Sequence, residues 1–206
     1  MLGHNRTISN TSDTYRKYTN DDKSSTSVSD NNNYTYKRLV GLDNLGNTCF
    51  MNTSLQCLLH TDLFIMRLYR INSLIGKPIT TSFFDICQEM REKSTSVKPS
   101  SFKSLFGSLH SIYAGYSQQD SQEFLRKLLE DISKETNRVA NIPAYRELDT
   151  KNKTKEILNN EFDRLFRARE DSFVVDTFYG QFVNIFKCVE CNFETFSFEK
   201  LIYKGD

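Results

Sequence analysis

A cysteine flanked by three asparagines has the residue types that acyl transfer requires. The thiol belongs to Cys49, and the amides belong to Asn44, Asn47 and Asn52. A thiolate attacks a carbonyl carbon, and the oxyanion that forms needs donors, commonly backbone N–H groups together with a side-chain amide. Free cysteine is also among the most buried residue types. The local pattern therefore leaves two equal alternatives for Cys49, a catalytic nucleophile and a buried packing residue.

The apolar segment after Cys49 predicts a helix whose first turn would favour the thiolate. Residues 50–69 contain neither Gly nor Pro, and Gly46 and Asn47 just before them are turn residues. The unpaired N–H groups of a first turn and the positive end of the helix dipole both stabilise an anion. A thiol at the start of this helix would be placed for nucleophilic attack.

A thiol nucleophile of this type also needs a base, normally a histidine within hydrogen-bond reach. The chain contains three histidines, His4, His60 and His110. His4 lies in a polar N-terminal segment, and His60 would stand about 16 Å from the thiol along a continuous helix. His110 is surrounded by apolar residues, which favours a partly buried packing role. None of the three is a convincing base.

Two further cysteines have the spacing of half a zinc site. Cys188 and Cys191 are separated by two residues, as in a zinc knuckle, but a closed structural site needs four ligands. A structural zinc is therefore expected only if a second pair is supplied, and catalysis requires no cofactor. The five cysteines of the chain are odd in number and irregularly spaced, which favours reduced thiols and an intracellular location, cytoplasmic or nuclear.

Three segments resemble the ubiquitin-specific protease family, and they occur in that family's order. Residues 41–56 are similar, nearly residue for residue, to its cysteine box. Residues 116–125 resemble its glutamine–aspartate box, and residues 171–191 resemble the segment that leads to its Cys-x-x-Cys pair. The resemblance covers about residues 39–200, and a match of this length is highly specific.

The resemblance implies a papain-like α+β fold of thumb, palm and fingers, with thumb helices followed by the first strands of fingers and palm. Cys49 would attack the carbonyl after the last glycine of ubiquitin, and Asn44 would help to hold the oxyanion. The residues expected to meet the basic tail of ubiquitin are Asp120 and Glu123, with Gln118 and Gln119 beside them. Asp120 and Glu123 also have the form of a reciprocal N-terminal helix cap, an equal alternative that can coexist with binding.

The histidine box of the family lies beyond the point where this sequence ends. The expected function is therefore a thiol-dependent deubiquitinase, with the chain lacking the histidine-containing half. The alternative is a catalytically inactive fragment that binds ubiquitin or regulates another protein. A zinc-ribbon nucleic-acid module depends only on Cys188 and Cys191, and a net charge of +1 opposes it.

The elements that would position these residues follow from hydrophobic periodicity. We expect a disordered polar tail over 1–36 and the N-terminal part of a catalytic domain over 37–206. Predicted helices cover 50–69, 121–139 and 155–168, with a short helix and then a loop between 76 and 99 and a loop over 140–155. Residues 172–186 alternate and suggest two strands separated at Gly180.

Composition excludes two classes of partner. The 206 residues carry 27 basic and 26 acidic side chains, so no global field attracts nucleic acid or an anionic membrane. No apolar run approaches the length of about 20 residues that spans a bilayer. Ubiquitin or ubiquitinated proteins are the expected partners, with neither nucleic acid nor membrane.

Overall fold

The computed structural model describes residues 4–7, 40–71, 73–150 and 153–201. The helices are α1 (Cys49–Leu59), α2 (Asp62–Tyr69), α3 (Pro78–Glu92), α4 (Ser100–Leu109), α5 (Ser121–Glu135), α6 (Lys155–Arg167) and α7 (Phe173–Phe178). A short 3-10 turn covers Ser111–Tyr113, and the strands are β1 (His4–Thr7), β2 (Gly180–Lys187) and β3 (Glu194–Leu201). This mixture of helix and sheet confirms the predicted α+β class.

The described residues form two compact units. A helical unit contains the described part of Lys37–Pro143 together with Arg167–Phe178. A second unit contains Ala144–Phe166 and the strands that follow α7. Most of the predicted disordered tail, 1–36, lies outside the described residues. Within that segment His4–Thr7 is a strand, which differs from the predicted disorder.

Aromatic rings form the centre of the helical unit and hold α1 against α5. The ring of Phe124 on α5 is fully buried. Its centroid lies 5.5 Å from that of Phe50 on α1, 4.9 Å from that of Phe106 on α4 and 5.5 Å from that of Tyr113. Edge-to-face and tilted contacts of this kind stabilise aromatic pairs beyond their simple burial. Packing around Phe124 therefore brings the start of α1 near the start of α5.

The predicted helix 50–69 is two helices, separated at His60 and Thr61. The His60 ring bonds the Gln56 carbonyl at 2.7 Å, and the Thr61 hydroxyl donates to the Cys57 carbonyl at 2.9 Å. The Thr61 hydroxyl satisfies a carbonyl that the end of α1 leaves open, whereas the Gln56 carbonyl also accepts from the His60 N–H at 3.1 Å. Asp62 then opens α2, where a negative charge is favoured by the dipole. The absence of Gly and Pro was therefore insufficient evidence for one continuous helix.

The predicted strand over the first part of 172–186 is wrong, because residues 173–178 form α7. The Ser172 hydroxyl accepts from the Val175 N–H at 3.2 Å, which caps the new helix. Phe173, Val174 and Val175 are all buried, so the apolar run reflects burial on several sides rather than strand alternation. Strand β2 follows from Gly180, as expected.

Two other helices differ from the sequence prediction, one in its existence and one in its end. Helix α4 occupies a segment to which the periodicity assigned no element, and it buries Phe102 and Phe106. Helix α5 ends at Glu135 rather than near residue 139, because the Asn137 side chain donates to the Arg169 carbonyl at 3.0 Å and accepts from the Asp171 N–H at 3.0 Å. A tertiary contact thus ends the helix early.

Glu135 caps a neighbouring helix across the core. Its carboxylate accepts from the Ile79 N–H at 3.0 Å, from the Thr80 N–H at 2.8 Å and from the Thr80 hydroxyl at 2.7 Å. Helix α3 has no side-chain cap of its own, so these bonds satisfy donors that its first turn would otherwise leave unpaired. Because Thr80 is fully buried, water does not replace a lost partner there.

Glu135→Ala is therefore expected to lower the free energy of unfolding by about 1–3 kcal/mol, the usual cost of leaving buried donors unpaired. Urea denaturation followed by circular dichroism measures the change. Glu92→Ala is the matched control, since Glu92 is exposed at the other end of α3. Equal stability of the Glu135→Ala and Glu92→Ala variants would contradict the capping role.

The second unit packs one helix on an antiparallel sheet of strand order β1-β2-β3. Buried Leu158 from α6 contacts Val183 of β2 and Phe198 of β3, with the ring of Phe162 stacked 5.7 Å from that of Phe198. Strands β2 and β3 pair from Gly180 with Leu201 to Lys187 with Glu194. Among the helices described here, none is long and apolar enough to cross a membrane.

Candidate active site

The loop before α1 makes a tight turn that only particular residues accept. Gly46 has φ of 98° and Asn47 has φ of 53°, both in the left-handed region that Gly and Asn tolerate. The start of this loop is anchored by backbone bonds from the Val97 N–H to the Gly41 carbonyl at 2.9 Å and from the Asp43 N–H to the Val97 carbonyl at 2.8 Å. The loop therefore enters α1 in a defined conformation.

Asn44 organises this turn through its amide oxygen. The oxygen accepts from the Gly46 N–H at 3.0 Å, from the Thr48 N–H at 3.1 Å and from the Thr48 hydroxyl at 3.1 Å. The Thr48 hydroxyl oxygen accepts in turn from the Leu45 N–H at 2.9 Å. With the oxygen occupied in this way, the NH2 group of Asn44 is the part of the amide left to donate.

The other two asparagines near the thiol use their amide nitrogens within the protein. Asn47 donates to the Tyr116 carbonyl at 2.9 Å, and Asn52 donates to the Asp43 carbonyl at 3.0 Å. The amide nitrogen of Asn44 has no such acceptor among the described residues. The sequence offered three amides beside Cys49, and the hydrogen bonding distinguishes Asn44 from Asn47 and Asn52.

Cys49 is the first residue of α1, and it is exposed. Thr48 precedes it but provides no side-chain cap, because its hydroxyl is committed to the turn. The N–H groups of the first turn therefore keep their donor capacity, and they lie at the positive end of the helix dipole. An exposed thiol next to uncapped donors has the arrangement of a nucleophile rather than that of a packing residue.

Tyr116, in the loop after the 3-10 turn, holds the turn before α1 in place, a contact that the sequence did not predict. Its carbonyl accepts from Asn47, and its ring lies against Gly46, where an added Cβ would stand 3.3 Å from the Tyr116 ring. The Lys103 ammonium lies 4.5 Å from the centre of the same ring and donates to the Gly115 carbonyl at 3.0 Å. The sequence contained a signal that could have identified Tyr116, because this residue opens the segment that resembles the glutamine–aspartate box.

The segment from Gln118 to Glu123 leads into α5. Asp120 accepts from the Glu123 N–H at 2.8 Å, whereas the reciprocal bond from the Asp120 N–H to the Glu123 carboxylate is not formed in this described segment. The two carboxylates and Gln118 are exposed, and Gln119 donates to the Ile112 carbonyl at 3.0 Å. Only half of the predicted cap is present, so the Glu123 carboxylate remains available to a ligand.

A hydrogen bond connects this segment to α1, the helix that begins at Cys49. The Ser54 hydroxyl on α1 shares its one hydrogen between the Ser121 carbonyl, at 3.0 Å, and the Phe50 carbonyl, at 2.9 Å. Ser54 is 3% exposed, so this link is protected from water. Together with the Phe50–Phe124 contact, it places Cys49 and Asp120 at the starts of two packed helices.

The two histidines whose side chains are described have other partners. The His60 ring bonds the Gln56 carbonyl at the far end of α1 from Cys49. The His110 ring packs 4.7 Å from that of Phe106, in agreement with the predicted packing role, and its Nε2 lies 2.5 Å from the Asp131 carboxylate. The Asp131 partner was not predicted. Neither ring is described in contact with Cys49.

Cys188 and Cys191 lie in the hairpin between β2 and β3, in the second unit. The Cys188 N–H donates to the Phe193 carbonyl at 2.8 Å, and Asn192 has φ of 56°. Backbone N–H groups of Cys191 and Glu190 that donate to the Cys188 sulfur hold the pKa of that thiol below its ordinary value. This N–H···S turn suits a thiolate ligand, yet in the described part of the chain no group of three or more metal-ligating side chains occurs.

The remaining cysteines differ from Cys49 in burial or in position. All five cysteines lie within the described ranges and are free. Burial raises the pKa of the Cys87 thiol, which is only 1% exposed. Cys57 is exposed like Cys49 but lies in the interior of α1, away from the uncapped first turn.

Comparisons with known proteins indicate the family of the chain. Residues 40–201 match the family described as "Ubiquitin carboxyl-terminal hydrolase". Ubiquitin carboxyl-terminal hydrolase 4 of Rattus norvegicus is 35% identical over 176 residues, which are 80% of this chain and 18% of that protein. Ubiquitin carboxyl-terminal hydrolase 5 of Arabidopsis thaliana is 33% identical over 80% of this chain and 19% of its own length.

A solved structure gives the same indication for the fold. A SAGA DUB module containing Ubp8, bound to monoubiquitin, matches with a TM-score of 0.59 and 23% identity, over 91% of this chain and 39% of that chain. The chain thus spans a fifth or less of these relatives by sequence and about two fifths of the structural neighbour. Because the family match covers most of its length, the chain belongs to the ubiquitin carboxyl-terminal hydrolase family, with the α+β, papain-like fold of the ubiquitin-specific proteases.

Proposed function

We propose that this chain supplies the nucleophile of a thiol-dependent deubiquitinase that hydrolyses the bond after the C-terminal glycine of ubiquitin. Cys49 attacks the carbonyl carbon, and Asn44 donates to the oxyanion. The observation that carries the proposal is the hydrogen bonding of Asn44, whose amide oxygen is fully used by the turn, so that its NH2 group is left to donate. A donor held in advance of the reaction is the arrangement that stabilises developing negative charge.

The tail of ubiquitin would pass over the start of α5. Asp120 and Glu123 present two exposed carboxylates there, and Asp120 bonds its own helix with only one of its two oxygens. Carboxylates bind guanidinium and ammonium groups through charge-assisted hydrogen bonds, so this end of α5 suits a basic peptide tail. Gln118 and Gln119 would contribute amide contacts beside them.

The general base of the reaction would be a histidine outside residues 1–206. Supporting this, His60 and His110 are already bonded to Gln56 and Asp131. Cys188 and Cys191 would provide two of the four thiolate ligands of a structural zinc, completed by a second pair of cysteines, and that ion would have no part in the reaction. Free thiols throughout the chain support an intracellular location, in the cytoplasm or nucleus.

The assignment of Cys49 as the nucleophile is tested with ubiquitin that carries an electrophile in place of its C-terminal carboxylate. We expect one covalent adduct, located at Cys49 by mass spectrometry and absent from Cys49→Ser. Cys57→Ser is the matched control, because Cys57 is a second exposed thiol on the same helix and its removal should leave the adduct intact. An adduct that persists in Cys49→Ser would refute the assignment of the nucleophile.

The alternative function is a fragment that binds ubiquitin without hydrolysing it. The bonds of the described histidines favour it for residues 1–206 in isolation. These residues are expected to release a ubiquitin C-terminal amide no faster than their Cys49→Ser variant. Rapid release that depends on Cys49 would show that a base lies within the chain, with His110 as the first candidate.

A further inference from the structure

A groove of about 950 Å³ lies beside the turn that precedes Cys49. One wall is the turn itself, including Asp43 and Asn44, and the opposite wall is the outer face of α4. Ala114 and Tyr116 line the groove between these two walls. All of these residues belong to the helical unit, so the groove is a property of that unit alone.

The α4 wall is basic and rich in hydroxyl groups. Ser100, Ser104 and Ser108 recur at helical spacing along it, and all three are exposed. Lys98 stands just before α4, is exposed and has no ion-pair partner among the described residues. The Lys103 ammonium lines the same wall, held by the Ala114 and Gly115 carbonyls, neither of which carries a formal charge.

The charge balance of the groove favours an anionic occupant. Lys98 and Lys103 contribute two positive charges, and Asp43 on the opposite wall contributes the single negative one. The Ala114 and Gly115 carbonyls and the Tyr116 ring hold the Lys103 ammonium without a formal negative charge, and hydroxyl groups of Ser100 and Ser104 add donors for carboxylate oxygens. An extended peptide with carboxylate side chains matches this wall.

The residues that line the groove bear on which side of the reacting bond it serves. Asn44 lines it, and Asn44 is bonded to Thr48, the residue directly before Cys49. Asp120 and Glu123, to which the proposed function assigns the ubiquitin tail, do not line it. Because the proposed function assigns the ubiquitin tail to the start of α5, it leaves this groove for the peptide on the leaving-group side of Cys49.

We infer that this groove receives an acidic segment of the protein from which ubiquitin is removed, adjacent to the modified lysine. The inference depends on the proposed function for its placement on the leaving-group side. Lys98 is the specificity-determining residue, and the hydroxyl groups on α4 provide further contacts. No covalent step is involved.

The first experiment measures binding of a free peptide by fluorescence anisotropy at low salt. The probe is a fluorescein-labelled decapeptide with four glutamates among glycine and serine, and its control peptide has glutamine at those four positions. We expect the acidic peptide to bind more tightly, and Lys98→Glu to weaken it at least about fivefold, as loss and reversal of one exposed charge contact predicts. Lys93→Glu, a charge reversal outside the groove, should change the affinity less than about twofold.

The second experiment places the site relative to the reaction. The Cys49→Ala variant is titrated with free ubiquitin and with ubiquitin joined through its C-terminus to the lysine side chain of either peptide, each given a central lysine. We expect the acidic conjugate to bind more tightly than the glutamine conjugate, and Lys98→Glu to remove that difference without changing the affinity for free ubiquitin.

The outcomes distinguish a failure of this inference from a failure of the proposed function. Equal affinity for acidic and glutamine peptides, or equal weakening by Lys98→Glu and Lys93→Glu, overturns the inference while ubiquitin binding and Cys49 labelling still support the proposed function. A Lys98-dependent preference for the free acidic peptide without any affinity for ubiquitin supports the basic, anion-binding groove and contradicts the deubiquitinase assignment. A preference shown by the free peptides but absent from the conjugates overturns the placement on the leaving-group side.

Discussion

Asn44→Asp is expected to lower the rate of ubiquitin amide hydrolysis by the full-length gene product about 10²–10³-fold, the usual effect of losing one oxyanion donor. Aspartate keeps an oxygen for the Gly46 and Thr48 N–H groups, so the turn before Cys49 stays formed. The change replaces the donating NH2 group with a negative oxygen where the oxyanion develops. The loss should therefore appear in kcat, measured with a fluorogenic ubiquitin amide, with little change in KM or in melting temperature.

Asn44→Ala is the comparison that separates catalysis from folding of the turn. It removes the donor and also the acceptor of three hydrogen bonds, so both the rate and the melting temperature should fall. If Asn44→Asp stays within about tenfold of the unmodified enzyme, then a side-chain donor is not required and backbone N–H groups of α1 hold the oxyanion by themselves.

Phe124→Ala is expected to lower the free energy of unfolding by about 3–5 kcal/mol, the usual cost of an alanine at a buried phenylalanine. The ring is fully buried and lies against rings from α1, from α4 and from the turn that follows α4. Because typical domains are stable by only about 5–15 kcal/mol, much of the helical unit's stability would be lost. Urea denaturation followed by tyrosine fluorescence and circular dichroism measures the change.

Ile75→Ala provides the control for this prediction. Ile75 is 91% exposed in the same unit, so its truncation should change stability by less than about 0.5 kcal/mol. A loss of less than about 1 kcal/mol in Phe124→Ala would mean that the core collapses around the missing ring. In that case α1 and α5 do not depend on this aromatic cluster for their relative position.

The sequence predicted an element well where the residue pattern itself sets the element. It failed where side-chain hydrogen bonds or burial on several sides decide the structure. Helix α5 was predicted from its cap and its apolar face, and the Asp120 half of the cap and the apolar face are both present. The break at His60 was not predicted, because it depends on side chains bonding the last carbonyls of α1. The short helix α7 was mistaken for a strand, because burial on several sides produces the same run of Phe and Val as a buried strand.

The candidate site divides in the same way. The candidate nucleophile, the three nearby amides and the acidic pair at the start of α5 were all visible as residue types at fixed spacings. Which amide is left to donate was not visible, because it depends on the Tyr116 and Asp43 carbonyls occupying Asn47 and Asn52. Those acceptors come from other parts of the chain or from the folded turn, so no spacing rule identifies them.

By itself, the sequence determined the chemistry that this protein can offer: a thiol at a helix start, amides beside it, and carboxylates at the start of a second helix. The tertiary structure alone decided which of these groups are exposed, which are already bonded, and that a basic groove adjoins the turn before Cys49. The physical reason is that covalent order sets residue types and short-range geometry. Desolvation and hydrogen-bond pairing depend on partners far apart in the chain, such as Asn47 and Tyr116, which meet only in the folded molecule.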